Sequence, residues 1–172
     1  MKTAKEIATL GVFVALLIGG QFVLSGISGI EIVTVLMVSF CYYFGAYRGV
    51  IVATSFSLIR CILFGFFPNI IILYLIYYNC LALFFGLLGR KFSKTINLKK
   101  LIAITLFAIL FTVLFTFIDV LITSIFYGFT LNATKTYFIA GVPTLITQII
   151  CVTLTVAIFF VPLNKIYSAV KL

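Results

Sequence analysis

The sequence predicts an all-α integral membrane protein, folded as a compact bundle of about six transmembrane helices in a single domain over residues 1–172. Hydrophobic residues make up 65% of the chain and the mean hydropathy is +1.37. Only 9% of the residues are charged, whereas a soluble domain has about 25%. The apolar runs are long and continuous, which favours helices over the short alternating strands of a membrane barrel.

Six apolar runs, separated by short glycine-rich or polar breaks, predict the helices. A spanning helix needs about 20 apolar residues, so a chain of this length has room for roughly six. The first run follows Lys2 and Lys5 but lacks a cleavage site before a polar domain, so we interpret it as a retained span. The second run is short for a span. The predicted spans lie near 6–26, 31–46, 50–67, 70–89, 101–127 and 138–163.

Basic residues are distributed unevenly among the segments that connect these runs. With the N-terminus in the cytoplasm, ten of the 12 Lys and Arg residues are on the inside, five of them in 90–100. Lys135 alone is outside, and Arg60 lies within the third span. Because cytoplasmic loops are enriched in Lys and Arg, we expect a multi-pass protein of a prokaryotic cell (plasma) membrane with both termini cytoplasmic. The lipid bilayer explains the net charge of +9, so no nucleic-acid partner is expected.

Polar side chains recur at helical spacing in three of the predicted spans. Residues three, four or seven apart lie on one face of a helix. Such stripes serve helix–helix hydrogen bonding or line a cavity. They comprise Gly49, Ala53, Ser57 and Arg60 in span three, Thr105, Thr112, Thr116, Asp119 and Thr123 in span five, and Thr144, Gln148, Cys151 and Thr155 in span six.

Ionisable and amide side chains lie at or above the middle of their spans, on the predicted outer side. A charge within the bilayer is expensive and indicates function by default. Aromatic rings beside a few convergent polar groups are typical of a small-molecule pocket. Arg60 has three possible partners: Glu31, Asp119 or the substrate. The predicted substrate-binding residues are Glu31, Arg60, Tyr74, Tyr78, Asn79, Asp119 and Gln148.

Small residues form a seam along one face of the first span, at Ala4, Ala8, Gly11, Ala15 and Gly19. Small residues four apart let another helix approach closely. The partner of this seam is either another helix of the bundle or another protein.

Residues that carry out catalysis or bind metals are scarce. The chain has no histidine, and its four cysteines lie inside apolar runs without the spacing of a metal site. We therefore expect no enzyme activity, no metal and no cofactor.

Four segments together resemble the substrate-binding (S) component of energy-coupling factor (ECF) transporters. They are the basic start MKTAKEIATLGVFVALLIGGQFVLSGI, then GIEIVTVLMVSF, FGAYRGVIVA and YFIAGVPTLITQ. The resemblance implies a six-helix protein that captures a vitamin or related micronutrient on the extracytoplasmic side. It also implies that the chain docks on a transmembrane coupling subunit with two ATPase subunits and reorients in the membrane.

The resemblance further implies docking through small residues four apart on the first helix, usually alanines. Ala4 with Ala8 and Gly11 with Ala15 have this spacing, although Gly11 departs from the alanine pattern. Glu31 would then face the pocket, contacting substrate or neutralising Arg60. The substrate stays open among riboflavin, pantothenate, pyridoxine, folate, cobalamin, a thiamine precursor and similar micronutrients.

Three other hypotheses fit parts of the sequence. A small secondary transporter would use Asp119 and Arg60 as an ion-coupled switch and need no partner. A membrane-embedded enzyme would need an acid, a base or a metal set, which the lack of histidine disfavours. A purely structural membrane subunit would bind no ligand.

Overall fold

Six α-helices joined by short turns make up most of residues 4–27, 29–92 and 96–169, the part of the chain described by a computed structural model. Five helices are long and apolar enough to cross a membrane, and the exception, α2, has 12 residues. The prediction of a helical membrane protein is therefore confirmed, but five helices, and not six, are long enough to span a membrane. The helices are α1 (Ala4–Leu24), α2 (Val33–Phe44), α3 (Ala46–Phe64), α4 (Pro68–Lys91), α5 (Leu98–Tyr127) and α6 (Leu131–Ala169).

The short helix α2 forms the centre of the bundle. It contacts α1, α3, α4 and α6, while neighbouring contacts connect α1 to α3, α3 to α4, α4 to α5 and α5 to α6. Every residue from Val33 to Tyr42 is buried, as expected for a helix that is apolar all round. The outer helices instead expose large apolar side chains such as Ile62, Ile125 and Leu131, which suits a surface in contact with lipid.

One end of the bundle carries most of the basic side chains, and we call it the basic end. Arg48 Nε donates a 2.8 Å hydrogen bond to Glu6 Oε1 there, which joins the starts of α1 and α3. The helices approach closely at this end because α4 presents glycines. A Cβ atom at Gly86 would overlap the backbone of Ala46, and one at Gly89 would overlap the carbonyl of Tyr42.

Helix α6 begins earlier than the sequence predicted, at Leu131 instead of near residue 138. The hydroxyl of Thr130 accepts a 3.3 Å hydrogen bond from the N–H of Ala133, which is the pairing made by a helix N-cap residue. The glycine and polar residues of 127–136 predict a longer loop than the structure contains. Two prolines inside α6, Pro143 and Pro162, do not end the helix.

Candidate functional site

A small cavity lies inside the bundle, away from the basic end, and we call it the inner cavity. Its volume is about 50 Å³. Side chains from the turn before α2 and from α4, α5 and α6 surround it. The lining residues are Glu31, Tyr74, Tyr77, Tyr78, Thr112, Phe115 and Gln148.

Glu31 is held in place by the turn that connects α1 to α2. Gly29 has φ +81° and packs so closely on Thr147 of α6 that a Cβ atom would come within 2.7 Å of the Thr147 Cβ, which leaves space for glycine alone. The Sγ of Cys151 accepts a 3.4 Å hydrogen bond from the Glu31 N–H and donates one of 3.2 Å to the Glu31 carbonyl. These contacts fix the backbone of Glu31 against α6.

The side chain of Glu31 has one close polar partner. Thr34 Oγ1 donates a 2.7 Å hydrogen bond to Glu31 Oε1. Within the described parts of the chain, no basic group lies within ion-pair distance of Glu31, and the one ion pair is Arg48–Glu6 at the basic end. The carboxyl group of Glu31 therefore reaches the cavity without a cationic neighbour.

Three tyrosines on one face of α4 form the aromatic wall of the inner cavity. Positions 74, 77 and 78 are three and four residues apart, so their side chains lie side by side. The ring centroids of Tyr74 and Tyr78 are 5.2 Å apart, and those of Tyr77 and Tyr78 are 4.9 Å apart. Phe115 of α5 meets the ring of Tyr77 edge-on at 4.8 Å. These distances are those of favourable aromatic pairs, which stabilise the wall.

Arg60 lies behind this wall and does not line the inner cavity. Its guanidinium carbon is 4.2 Å from the ring centroid of Tyr74 and 5.2 Å from that of Phe64. Gln21 of α1 donates a 3.2 Å hydrogen bond to the Tyr74 hydroxyl. Of the three partners considered for Arg60, neither Glu31 nor Asp119 is paired with it. Arg60 instead packs against the ring of Tyr74, which itself lines the inner cavity.

A larger cavity of about 310 Å³ lies between α5 and α6, and we call it the outer cavity. Asp119 accepts hydrogen bonds there from Tyr137, at 2.9 Å, and from Thr123, at 3.3 Å. Phe115 and Gln148 line both cavities, so these two side chains separate the inner space from the outer one. The predicted stripes of α5 and α6 face each other across this space, with Thr116 and Thr144 also in the lining.

The structure brings together most of the predicted substrate-binding residues. Glu31, Tyr74, Tyr78 and Gln148 line the inner cavity, and Asp119 and Gln148 line the outer one. Asn79 lies elsewhere: it accepts a 3.1 Å hydrogen bond from Thr54 of α3 and donates one of 2.8 Å to the carbonyl of Leu75.

The predicted site did not include several residues that shape the two cavities. The aromatic and polar periodicity of α4 and α5 contained a signal for most of them, because they share faces with predicted residues. Nothing in the sequence indicated the contact between Cys151 and the Glu31 backbone. The added residues are Tyr77, Thr112, Phe115, Tyr137 and Cys151.

The small-residue seam of α1 lies at the surface, and Gly11 also borders a groove shared with Ile51 and Ser55 of α3. Ala4, Ala8, Gly11, Ala15 and Gly19 are all exposed. A Cβ atom added at Gly11 or at Gly19 would meet no other group within 4 Å. The surface of α1 is therefore open to close approach by another helix.

Comparison of the chain with known protein families, with curated proteins and with solved structures gives no match. Among the described residues, no group of three or more His, Cys, Asp and Glu side chains is arranged to hold a metal ion. Function must therefore be inferred from the two cavities and the residues that line them.

Proposed function

We propose that this chain is the substrate-capture (S) subunit of an ECF-type ABC transporter, which binds a vitamin or related micronutrient for ATP-driven uptake by partner subunits. The observation that carries the proposal is the position of Glu31, a carboxyl group aimed into an aromatic-lined cavity with no cationic neighbour in the described chain. A carboxylate away from water is costly unless it is paired. A ligand that brings a positive charge would supply the missing partner.

The charges around the cavities favour a cationic or amine-bearing substrate. Glu31 lines the inner cavity and Asp119 the outer one, while Arg60 is in neither lining and packs on the ring of Tyr74. A cation beside either carboxylate favours its charged form. The negative faces of the tyrosine rings also attract cations.

The two carboxylates that line the cavities favour some vitamins over others as the substrate. Pantothenate and folate carry carboxylates, which Glu31 and Asp119 would repel. A thiamine precursor or a pyridoxine-like compound has a planar ring with an amino group or a protonatable nitrogen. Such a ring would stack on Tyr74 and Tyr78 and donate a hydrogen bond to Glu31, and we therefore favour this class.

Binding requires the two cavities to join. The inner cavity, at about 50 Å³, is far below the roughly 300–1,000 Å³ of small-molecule sites, whereas the outer cavity reaches the lower end of that range. Phe115 and Gln148 are shared by both. Side-chain rotations are common when ligands bind, and rotation of these two would create one continuous pocket.

Docking on the coupling subunit is proposed for the exposed seam of α1. Close helix packing in a membrane favours small residues, and the seam offers five exposed ones. With the basic end in the cytoplasm, as the distribution of Lys and Arg predicts, the cavities open toward the outside. The ATPase subunits would then act from the basic end.

The decisive experiment is to identify what purifies with the chain. The protein is isolated from its native membrane in mild detergent, and both the bound small molecules and the associated polypeptides are analysed by mass spectrometry. We expect a vitamin-sized cation or amine, together with a membrane subunit and two ATPases. The Glu31→Gln variant should retain less of the small molecule, and Glu6→Gln, the same change at the basic end, should retain as much as the parent.

Two outcomes would contradict the proposal. If the isolated chain in liposomes accumulates substrate under an ion gradient alone, it is a secondary transporter that needs no ATPase. If no small molecule is retained and none of the vitamins binds on titration, the cavities are not a capture site.

A further inference from the structure

A third cavity, at the basic end, is unrelated to the predicted substrate site. Its volume is about 300 Å³, and it lies where α2 and α6 end. We call it the basic-end cavity. Its lining residues are Tyr42, Tyr43, Ile96, Val161, Asn164, Lys165 and Ser168.

Two buried side chains in this cavity have polar atoms without a hydrogen-bond partner. Tyr42 is 5% exposed and Asn164 is 7% exposed. Within the described residues, neither the hydroxyl of Tyr42 nor Oδ1 of Asn164 has a partner, although Nδ2 of Asn164 donates a 2.8 Å hydrogen bond to the carbonyl of Phe160. Buried polar groups are nearly always satisfied, so these two atoms have hydrogen-bonding capacity left for a ligand at this cavity.

The types of these atoms specify the ligand's chemistry. A tyrosine hydroxyl can donate to an anion, and the ammonium group of Lys165 provides positive charge in the same lining. Oδ1 of Asn164 can only accept. A matching ligand therefore carries both an anionic acceptor and a hydrogen-bond donor, a combination that a phosphate joined to a hydroxyl-bearing group provides.

A neighbouring cavity indicates that this ligand has a hydrocarbon part. It has a volume of about 200 Å³ and shares Tyr42 with the basic-end cavity. Leu88, Ile104 and Phe107 line it together with Lys99. A free phosphate compound would leave these apolar walls unused, whereas an acyl chain would cover them.

We propose that Tyr42, Asn164 and Lys165 bind the phosphoglycerol headgroup of an anionic phospholipid, with part of an acyl chain against Leu88 and Phe107. In this arrangement Tyr42 and Lys165 contact the phosphate, and Asn164 Oδ1 accepts from a glycerol hydroxyl. Basic pockets between helices on the cytoplasmic side of membrane proteins bind anionic lipid headgroups. Lipid binding at this site does not depend on which substrate the chain captures or on whether partner subunits are present.

Native mass spectrometry of the full chain in detergent tests this proposal. Phosphatidylglycerol and phosphatidylcholine with identical acyl chains are titrated separately, and we expect the first to bind at least about tenfold more tightly. Tyr42→Phe and Lys165→Gln should each weaken phosphatidylglycerol binding about fivefold or more. The matched control Lys135→Gln, which removes a lysine from the other end of the bundle, should leave it unchanged.

Folding is separated from binding by thermal unfolding in lipid-free detergent. Tyr42→Phe keeps the ring that packs on Phe160 at 5.4 Å and deletes only an unpaired hydroxyl, so its unfolding temperature should equal or exceed that of the parent. Equal binding of the two lipids, or unchanged binding by both variants, would overturn the proposal. The proposal would also be overturned if free glycerol 3-phosphate competed with the lipid and bound with the same affinity. The acyl chain would then contribute nothing to binding.

Discussion

Replacing Glu31 by Gln tests whether the inner cavity binds a cation. Glutamine has nearly the same shape, and its carbonyl oxygen can still accept the 2.7 Å hydrogen bond from Thr34. The backbone contacts with Cys151 do not involve the side chain. The substitution therefore removes the charge and leaves the local framework in place.

The expected loss follows from the partial burial of this position. A hydrogen bond to a charged group contributes about 1.5–3 kcal/mol, and each 1.4 kcal/mol is a factor of about ten in affinity. We therefore expect Glu31→Gln to raise the dissociation constant roughly ten- to hundredfold. Stability should not fall, because the variant no longer keeps an unpaired carboxyl group inside the bundle.

Isothermal titration in detergent, with the small molecule that co-purifies, measures the change in affinity. Glu6→Gln serves as the matched control, since it makes the same replacement in the ion pair with Arg48 at the basic end. It should leave the dissociation constant unchanged. Equal affinities of Glu31→Gln and the parent, with both folded by circular dichroism, would refute a cation site at Glu31.

Three further predictions concern orientation, docking and the outer cavity. A cysteine at position 132 should react with a membrane-impermeant thiol reagent in intact cells while one at position 97 does not, and the reverse pattern would invert the topology. Ala15→Leu should abolish cellular uptake while substrate titration of the isolated chain stays normal, because Ala15 is exposed and a larger side chain there blocks the approach of a partner helix. Persistent uptake would exclude the seam as the docking surface. Asp119→Asn should weaken substrate binding roughly tenfold or more, and Thr155→Leu, nearer the basic end on α6, should have a far smaller effect on the same titration.

Helical periodicity made much of the candidate site predictable. Spacing alone predicts the polar stripes of spans five and six, and the structure places Asp119 and Gln148 in one cavity lining. This works because polar residues in a lipid-facing bundle turn inward, so a polar stripe marks the inner face of each helix. When two helices are adjacent, their inward faces meet, so no further information is needed to predict that the two stripes share a cavity.

Depth and helical face are different properties, and Asn79 shows the difference. Its level in the membrane suggested membership of the site, but consecutive residues on a helix are rotated by about 100°. Asn79 follows Tyr78 directly and points to Thr54 of α3 instead of the cavity. The positions of Tyr74 and Tyr78, four residues apart, already defined a face that excludes it.

Which side chains contact each other between helices depends on how the helices pack, and the spacing of residues along the sequence does not predict this. Arg60 belongs to the buried face of α3, as its stripe indicated, yet the neighbour that meets it is the ring of Tyr74. Which of several inward-facing groups becomes the partner is decided by the order of helices around α2. The sequence alone left three partners open for this reason.

The short central helix explains why Glu31 is part-buried in the bundle instead of lying beyond its end. Gly45, at the end of α2, lies beside Arg90 at the basic end. From there, 12 helical residues rise about 18 Å, so the start of α2 lies roughly 12 Å below the far side of a hydrocarbon layer about 30 Å thick. The turn that carries Glu31 must therefore descend among α4, α5 and α6, where Gly29 and Cys151 hold it against α6. A second span of full length would have placed the same carboxyl group in water, where its attraction for a cation is much weaker.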